Sequence, residues 1–209
     1  MRKIMLMLIL ASEVVFAYAQ KEFKENDDEI QTIFSRNHKN GWYVSFTTGY
    51  GQIDSKDALI SGGRFMFVFD RKLGVGFGGY GFINDLDQHH YMNGGPSENS
   101  LGGGYGGLVI EPVRASRLPL HLSFPVLIGA GGIAKNTSDW WDNTTFDDGT
   151  NDTYFVFEPA AELELNFTRF FRISGMISYR FTSEIDLDQV DRNATKGLNF
   201  GLTFKLGKF

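Results

Sequence analysis

The chain has 209 residues, a formal net charge of −5 and no cysteine. This charge balance argues against the binding of nucleic acid, which requires clustered cations, and the absence of cysteine excludes disulfides and thiolate metal sites. Beyond residue 20, no apolar run approaches the roughly 18 residues of a transmembrane helix. A membrane location would therefore require a closed β-barrel, the alternative that pairs every backbone group in lipid.

The N-terminal segment has the pattern of a secretory signal peptide. Two basic residues precede an apolar run at residues 4–10, and Ala17 and Ala19 form a small-x-small cleavage site. We therefore predict a signal peptide over residues 1–19. Residues 20–40 are mostly charged and polar, and we expect a polar lead-in there without a defined secondary structure.

After this lead-in, apolar residues alternate with polar or small ones, as Leu202 does with Thr203. Successive strand residues point to opposite faces, so a period of two predicts strands with one apolar face. We predict an all-β domain over residues 41–209, folded as a single closed antiparallel up-and-down barrel. Its eight strands are expected at residues 41–51, 62–70, 75–83, 101–110, 118–133, 153–165, 171–182 and 196–209.

The connections between these strands alternate in length. Strands two, four and six are followed by short turns at residues 71–74, 111–118 and 166–170. Strands three, five and seven are followed by longer polar segments at residues 84–100, 135–152 and 183–195. The first hairpin, at residues 52–60, is intermediate. Short turns at one end and long loops at the other are typical of a transmembrane barrel, with both termini at the short-turn end.

Strands six and seven carry acids and arginines on one face and apolar residues on the other. A soluble barrel would expose these charges, whereas a transmembrane barrel would enclose them; the loop asymmetry and the aromatic residues favour enclosure. The interior of an eight-stranded barrel is filled by side chains, and buried charges persist only when they are paired. We therefore predict a plugged lumen with a charge network of Arg64, Glu158, Glu162, Glu164, Arg172, Arg180 and Lys205.

Two local features of strands six and seven follow from the same pattern. Pro159 lies within strand six, and because proline cannot donate a hydrogen bond to the ladder, we predict a β-bulge there. A three-residue turn at residues 167–169 would place Glu164 directly opposite Arg172.

The segment FEPAAELELNFTRFFRI at residues 157–173, together with Tyr179-Arg180-Phe181, resembles barrels common in the Bacteroidota. With the strand pattern and the loop asymmetry, the domain resembles the small outer-membrane β-barrels of the OmpA transmembrane-domain and OmpX type. The resemblance implies a Gram-negative outer membrane with both termini periplasmic, so that residues 20–40 become a periplasmic lead-in. It also implies contact with outer-membrane lipid and recognition of the terminal aromatic Phe209 by the barrel-assembly machinery.

His121 and Ser123 lie two residues apart in strand five and therefore share a face. Barrel lipid A deacylases resemble this in carrying a His-x-Ser pair, but theirs is followed by Asn where this chain has Phe124. Leu120 and Leu122 take the lipid-facing parity, which turns His121 and Ser123 inward. A lumen histidine with satisfied hydrogen bonds is the favoured interpretation, and a lipid-modifying enzyme using His121 and Ser123 is the first alternative.

The segment between strands five and six combines indoles and carboxylates at Trp140, Trp141, Asp147 and Asp148. Exposed aromatic side chains are favoured anchors for partners, but indoles also lie at the membrane interface in loops that bind nothing. The sequence leaves both interpretations open. The spacing of the acids falls short of a calcium-binding loop, and we predict no metal site and no cofactor.

These observations together predict a non-enzymatic, structural barrel protein at the cell surface, whose long loops are the candidate site for an unidentified extracellular ligand. The second alternative is a soluble exported barrel that encloses a small apolar ligand, as lipocalins do. Nucleic acid is not an expected partner.

Overall fold

A computed structural model describes residues 40–84, 100–136, 151–187 and 190–209. The predicted signal peptide and lead-in lie outside these residues. Among the described residues, no helix is long and apolar enough to cross a membrane. The strands in chain order are β1 Gly41–Ile53, β2 Lys56–Phe69, β3 Leu73–Asn84, β4 Ser100–Arg114, β5 Leu120–Ser123, β6 Val126–Asn136, β7 Asn151–Asn166, β8 Phe171–Thr182 and β9 Gly197–Lys208.

The strands form one closed antiparallel ring. Strands that follow one another in the chain pair with each other, except β5 and β6, and β9 returns to pair with β1. The four-residue β5 and the longer β6 lie end to end between β4 and β7, so that together they occupy one position. The predicted closed antiparallel barrel of eight strands is therefore confirmed.

The division between β5 and β6 occurs at Pro125. The register with β4 is the same on both sides, since Ser123 pairs with Val113 and Val126 pairs with Ile110. Pro125 has no N–H, although its carbonyl oxygen accepts a hydrogen bond of 2.8 Å from the Ala160 amide. β5 and β6 thus cross the barrel once, as predicted for the single strand at residues 118–133. The strand is interrupted at Pro125 because proline has no backbone N–H to donate to the ladder.

The β-bulge predicted at Pro159 is absent. β7 pairs one residue with one residue through this position, with Pro159 opposite Val126 on one side. On the other side, Phe157 pairs with Phe181 and Ala160 with Ser178, which is an unchanged register. Proline removes one donor from the ladder, and β7 accommodates this loss without an extra residue.

Two predicted connections are shorter than the sequence pattern indicated, because the strands beside them are longer. The intermediate hairpin at residues 52–60 is almost entirely strand, and Asp54 and Ser55 form a tight turn with positive φ angles of 53° and 61°. Such angles characterise the two-residue turn that matches strand twist. β4 continues to Arg114, and this extension places Glu111 within the strand instead of the predicted turn.

Apolar side chains cover the outside of the barrel. At the middle of β9, Leu202 is 52% exposed whereas the neighbouring Thr203 is completely buried. Each strand presents at least one exposed large apolar side chain outward, among them Phe46, Phe67, Phe77, Leu108, Leu122, Ile128, Phe155, Tyr179 and Leu202. The inward positions carry most of the buried charges, so the polarity is the reverse of that of a water-soluble barrel.

This polarity predicts different costs for the same substitution at two depths. Leu202→Arg places a guanidinium at the middle of the outer surface, where lipid contact costs roughly 2–4 kcal/mol. The matched control Leu118→Arg alters a leucine of similar exposure, 56%, in the turn after β4, where the cost near an interface is about 0–1 kcal/mol. Urea unfolding in lipid vesicles measures both. Equal costs at the two leucines would contradict a lipid-facing outer surface.

The lumen as candidate functional site

Six charged side chains from five strands meet in the half of the lumen nearer the short turns. We call this set the charge network; its members are Arg64, Glu111, Glu162, Glu164, Arg172 and Lys205. Strand alternation turns each of them inward, and all six are buried. Except for Arg172 and Glu164 on the paired strands β8 and β7, the contacts cross the lumen between strands that are not neighbours in the sheet, as between Arg64 on β2 and Glu162 on β7.

Lys205 contacts all three carboxylates of the network. Its Nζ lies 2.9 Å from Glu111 Oε1, 2.8 Å from Glu162 Oε2 and 2.6 Å from Glu164 Oε1. The ammonium group donates hydrogen bonds to Glu111 and Glu164, and Glu162 lies within ion-pair distance of it. This arrangement provides the strong pairing that a completely buried lysine requires.

The two arginines neutralise the remaining charge. Arg64 donates to Glu111 Oε2 at 3.3 Å and to Glu162 Oε1 at 2.5 Å. Arg172 donates to Glu164 Oε2 at 3.3 Å. Three carboxylates therefore face one ammonium and two guanidinium groups. With neutral histidine the formal charges of the network sum to zero, which is the condition for keeping ions in a space without bulk water.

Hydroxyl groups occupy further acceptor positions on these carboxylates. Tyr43 donates to Glu111 at 2.5 Å, Ser174 donates to Glu162 at 3.1 Å, and Ser123 donates to Glu164. A buried ion pair is stable only when its other polar atoms are also bonded. The carboxylates of the network are therefore held in position by neutral donors as well as by cations.

The structure brings five of the seven predicted lumen charges into the network, and the other two lie apart from it. Glu158 accepts hydrogen bonds from Ser178 at 2.5 Å and from Asn199 at 2.9 Å. Arg180 donates through Nε to the Thr195 carbonyl oxygen at 2.6 Å. Both residues line the half of the lumen nearer the long loops, where no carboxylate within 4 Å pairs with Arg180 among the described residues.

Sequence reasoning missed Glu111 and misplaced one pairing. The sequence pattern places Glu111 in the turn after residue 110, whereas β4 extends to Arg114 and the parity of Glu111 matches that of the inward Val109. Glu164 lies opposite Ser174, and Arg172 lies opposite Asn166, so the predicted direct opposition is wrong. The two charges still meet, because long side chains reach diagonal neighbours across a strand pair.

Aromatic side chains fill the half of the lumen nearer the long loops. The guanidinium carbon of Arg180 lies 5.3 Å from the ring centre of Tyr105 and 5.7 Å from that of Phe82, within cation–π range. Two cavities beside Glu158 have volumes of about 20 and 10 Å³, each enough for about one water molecule. Small-molecule sites occupy about 300–1,000 Å³, so neither cavity fits an apolar ligand.

The segment after β8 closes the long-loop end of the lumen. We call residues 183–196 the cap segment; Asp188 and Gln189 lie outside the described residues. Ile185 and Leu187 are buried in the same apolar cluster as Ile53 of β1. The Ala194 carbonyl oxygen accepts a 2.9 Å hydrogen bond from the Asp54 amide. Part of the predicted long polar segment is thus packed against the barrel.

The terminal Phe209 packs at the opposite end. Its ring centre lies 3.6 Å from the guanidinium carbon of Arg172 and 5.6 Å from the ring of the buried Tyr43. The side chain therefore covers the network from the short-turn end. Its predicted role as an assembly signal remains a prediction, since this packing describes the folded protein.

His121 and Ser123 both bind Glu164 and do not bind each other in the described structure. His121 Nε2 lies 3.1 Å from Glu164 Oε2, and Ser123 Oγ donates to Glu164 Oε1. A nucleophilic serine needs a base within reach of its hydroxyl and access to substrate. Here the carboxylate stands between the two residues, both of which are buried in the lumen. His121 is thus a buried lumen histidine that contacts Glu164 through Nε2, whereas its Nδ1 has no hydrogen-bond partner among the described residues, so the predicted satisfaction is incomplete. The pair offers no lipid-accessible nucleophile.

The residues predicted for loop recognition, Trp140, Trp141, Asp147 and Asp148, lie outside the described residues. Within the part of the chain that is described, no group of three or more His, Asp and Glu side chains is arranged to hold a metal ion.

No protein-family model matches the chain. No curated protein matches it either. Among solved structures, Neisserial surface protein A aligns with a TM-score of 0.54 at 9% identity, over 83% of this chain and 100% of that one. The chain has the fold of the small outer-membrane β-barrels.

Two further structures align less well. The N-terminal β-barrel domain of Pseudomonas aeruginosa OprF has a TM-score of 0.46 at 11% identity, over 78% of this chain and 97% of that domain. Ail, the attachment invasion locus protein of Yersinia pestis, has a TM-score of 0.47 at 15% identity, over 80% and 97% of the two chains. At such identities the likeness concerns the fold alone.

The network predicts a large difference between two identical substitutions. Glu111→Gln removes one anion and leaves Arg64 and Lys205 under-compensated, which we expect to cost roughly 3–5 kcal/mol of unfolding free energy. Glu184→Gln in the cap segment breaks an ion pair of 3.9 Å with Arg192, but both partners are about two-thirds exposed, so the cost should stay below about 1 kcal/mol. Urea titration in vesicles compares them.

A second variant separates lost charge balance from altered packing. Adding Lys205→Met to Glu111→Gln removes one cation along with the anion, and we expect it to recover part of the lost stability. A Glu111→Gln barrel as stable as Glu184→Gln would contradict the importance of charge balance in the lumen.

Proposed function

We propose that this protein is a non-enzymatic structural barrel of the bacterial outer membrane, with both termini in the periplasm. The observation that carries the proposal is an apolar outer surface around a lumen filled with a neutralised charge network. Water-soluble monomers rarely expose contiguous apolar patches larger than a few hundred Å². A closed barrel in lipid places this surface in hydrocarbon and leaves no strand edge unpaired.

The filled lumen argues against transport and storage. An ion or solute crossing the barrel would have to displace Lys205 from three carboxylates, then pass the cap segment at one end and Phe209 at the other. Each separation of a buried pair costs several kcal/mol. A soluble carrier of a small apolar ligand would need an apolar interior, and the described lumen is charged and lacks the space.

The long-loop end is the part that we propose faces the outside of the cell. It comprises the cap segment and the connections at residues 84–100 and 135–152, most of which lie outside the described residues. Trp140 and Trp141, with the neighbouring acids Asp147 and Asp148, make the second connection the better candidate for recognition of a partner. The partner itself is not identified by this chemistry.

We propose two steps in the biogenesis of this barrel, export and assembly. Residues 1–19 would direct export and be removed. The barrel-assembly machinery would then read Phe209 before its ring packs against Arg172 in the folded protein.

A plugged lumen predicts that the purified protein forms no stable channel in planar bilayers. The two cavities beside Glu158 have volumes of about 20 and 10 Å³, enough for about one water molecule each. We expect current at the baseline at 100 mV for the protein, while a general porin added to the same bilayer gives steps. Reproducible single-channel steps from the protein alone would show that the network is not a plug.

The proposed orientation predicts which sites proteases reach on intact cells. Chymotrypsin should cut after Tyr91, Trp140 or Trp141, which lie in the two long connections. Trypsin fragments that end at Arg71 or Arg117, in the short turns, should appear only after the outer membrane is opened. Mass spectrometry of the outer-membrane fraction identifies the fragments. Cleavage at Arg71 in intact cells without cleavage at Tyr91 would invert the topology.

A further inference from the structure

The short-turn end of the barrel carries a ring of cations that neither the fold nor the charge network uses. The antiparallel topology brings the β2–β3, β4–β5 and β7–β8 turns and the C-terminus to this one end. Six cations lie at these positions. We define the basic collar as five of them, Arg71, Arg114, Arg117, Arg169 and Lys208; the sixth, Lys72, and the acid Asp70 of the same turn take part in interactions of their own.

The collar is exposed and uncompensated. Arg114, Arg117, Arg169 and Lys208 are exposed, and Arg71 is half-buried. Within the described residues, none of the five has a carboxylate within ion-pair distance. A chain with a net charge of −5 nevertheless concentrates these cations at one end.

The opposite end has the reverse character. The turn, the cap segment and the strand ends there carry the acids Asp54, Asp57, Asp152, Glu184, Asp186 and Asp191, which outnumber the described cations at that end, among them Lys56, Arg192 and Lys196. The barrel therefore has a charge difference along its axis, and a partner of the collar must be anionic.

Apolar side chains alternate with these cations along the turns. Phe167 is 67% exposed and Phe170 and Leu118 are comparably exposed, so that each flanks an arginine of the collar. Leu120 and Leu165, exposed at the adjacent strand ends, continue the apolar outer surface up to this level. A partner must accept apolar side chains and cations at the same depth, as the boundary between acyl chains and headgroups does.

We propose that the basic collar binds the phosphate groups of anionic phospholipids in the leaflet at the short-turn end. Guanidinium groups form paired hydrogen bonds to phosphate oxygens, and the acyl chains of the same lipid lie along the leucines below. This inference rests on the proposed membrane location and adds to it a class of lipid and the side chains that select it. A soluble polyanion would satisfy the cations but leave the phenylalanines in water.

Trp42 provides a reporter at the required place. It lies at the start of β1, is 48% exposed and pairs directly with Lys208 of the collar. The chain has three tryptophans, so Trp140→Phe and Trp141→Phe leave Trp42 as the sole indole. Bromine on an acyl chain quenches the fluorescence of an indole in contact with it. The protein that carries Trp42 as its sole tryptophan is reconstituted in phosphatidylcholine vesicles. The vesicles contain either brominated phosphatidylglycerol or brominated phosphatidylcholine at the same fraction of the total lipid.

We expect phosphatidylglycerol to be favoured about five-fold at Trp42, which is the ratio supplied by one cation at an anionic membrane surface. Replacing all five collar cations with glutamine should reduce this ratio to about one, and high salt should weaken the preference in the parent. The control variant Arg192→Gln/Lys196→Gln alters cations of the cap segment at the other end and should keep the full preference. Quenching by brominated phosphatidylcholine shows that each variant is inserted.

The outcomes distinguish the two proposals. Equal quenching by the two lipids in the parent would overturn the collar proposal and leave the membrane location intact. An unchanged preference for phosphatidylglycerol in the variant that lacks all five collar cations would also overturn the collar proposal, since the selectivity would then arise elsewhere. The absence of quenching by either lipid would overturn the membrane location and the collar together.

Discussion

The structure depends on the neutralisation of charges in a space that side chains fill. Lys205 lies among three carboxylates contributed by β4 and β7, and Arg64 on β2 reaches Glu111 and Glu162 on those same two strands. These contacts join walls of the barrel that are not adjacent in the sheet, so an open sheet could not make them. Removing ions from water costs several kcal/mol each, and closure of the ring supplies the partners that offset this cost. The network therefore favours the closed barrel over partly closed forms.

The two ends of the lumen are closed by different parts of the chain. At the short-turn end the terminal Phe209 stacks on Arg172, while at the other end Ile185 and Leu187 of the cap segment join the apolar cluster of β1. Both closures exclude water from the charges between them, which strengthens the ionic contacts. A lumen arranged in this way is suited to stability, and it moves any function to the surfaces of the protein.

Those surfaces differ in chemistry. The outer wall is apolar, the short-turn end carries unpaired cations among phenylalanines, and the long-loop end carries acids. The charges of the network inside the lumen sum to zero, whereas the outer charges are cationic at the short-turn end and mainly anionic at the long-loop end. The two ends of the barrel therefore differ in charge. An asymmetric membrane with chemically different leaflets provides an environment that matches such a difference.

The sequence by itself determined the strands and which residues share a face, because the direction of a strand side chain is a local property with a period of two. Period two allows either face to point inward; the loop asymmetry favoured the reversed polarity, and the structure shows it in the exposed Leu202 and the buried Thr203. Local pattern also selected the inward charges Glu162, Glu164 and Lys205. Only the tertiary structure decided which charges meet, since contacts across the lumen depend on the register and curvature of strands far apart in the chain. In the structure, Glu111 belongs to the network and Arg180 lies outside it. β7 keeps its register through Pro159 without a bulge. The tertiary structure also folded the apolar residues of the cap segment into the barrel, because burial of Ile185 depends on a lumen that forms only when the ring closes.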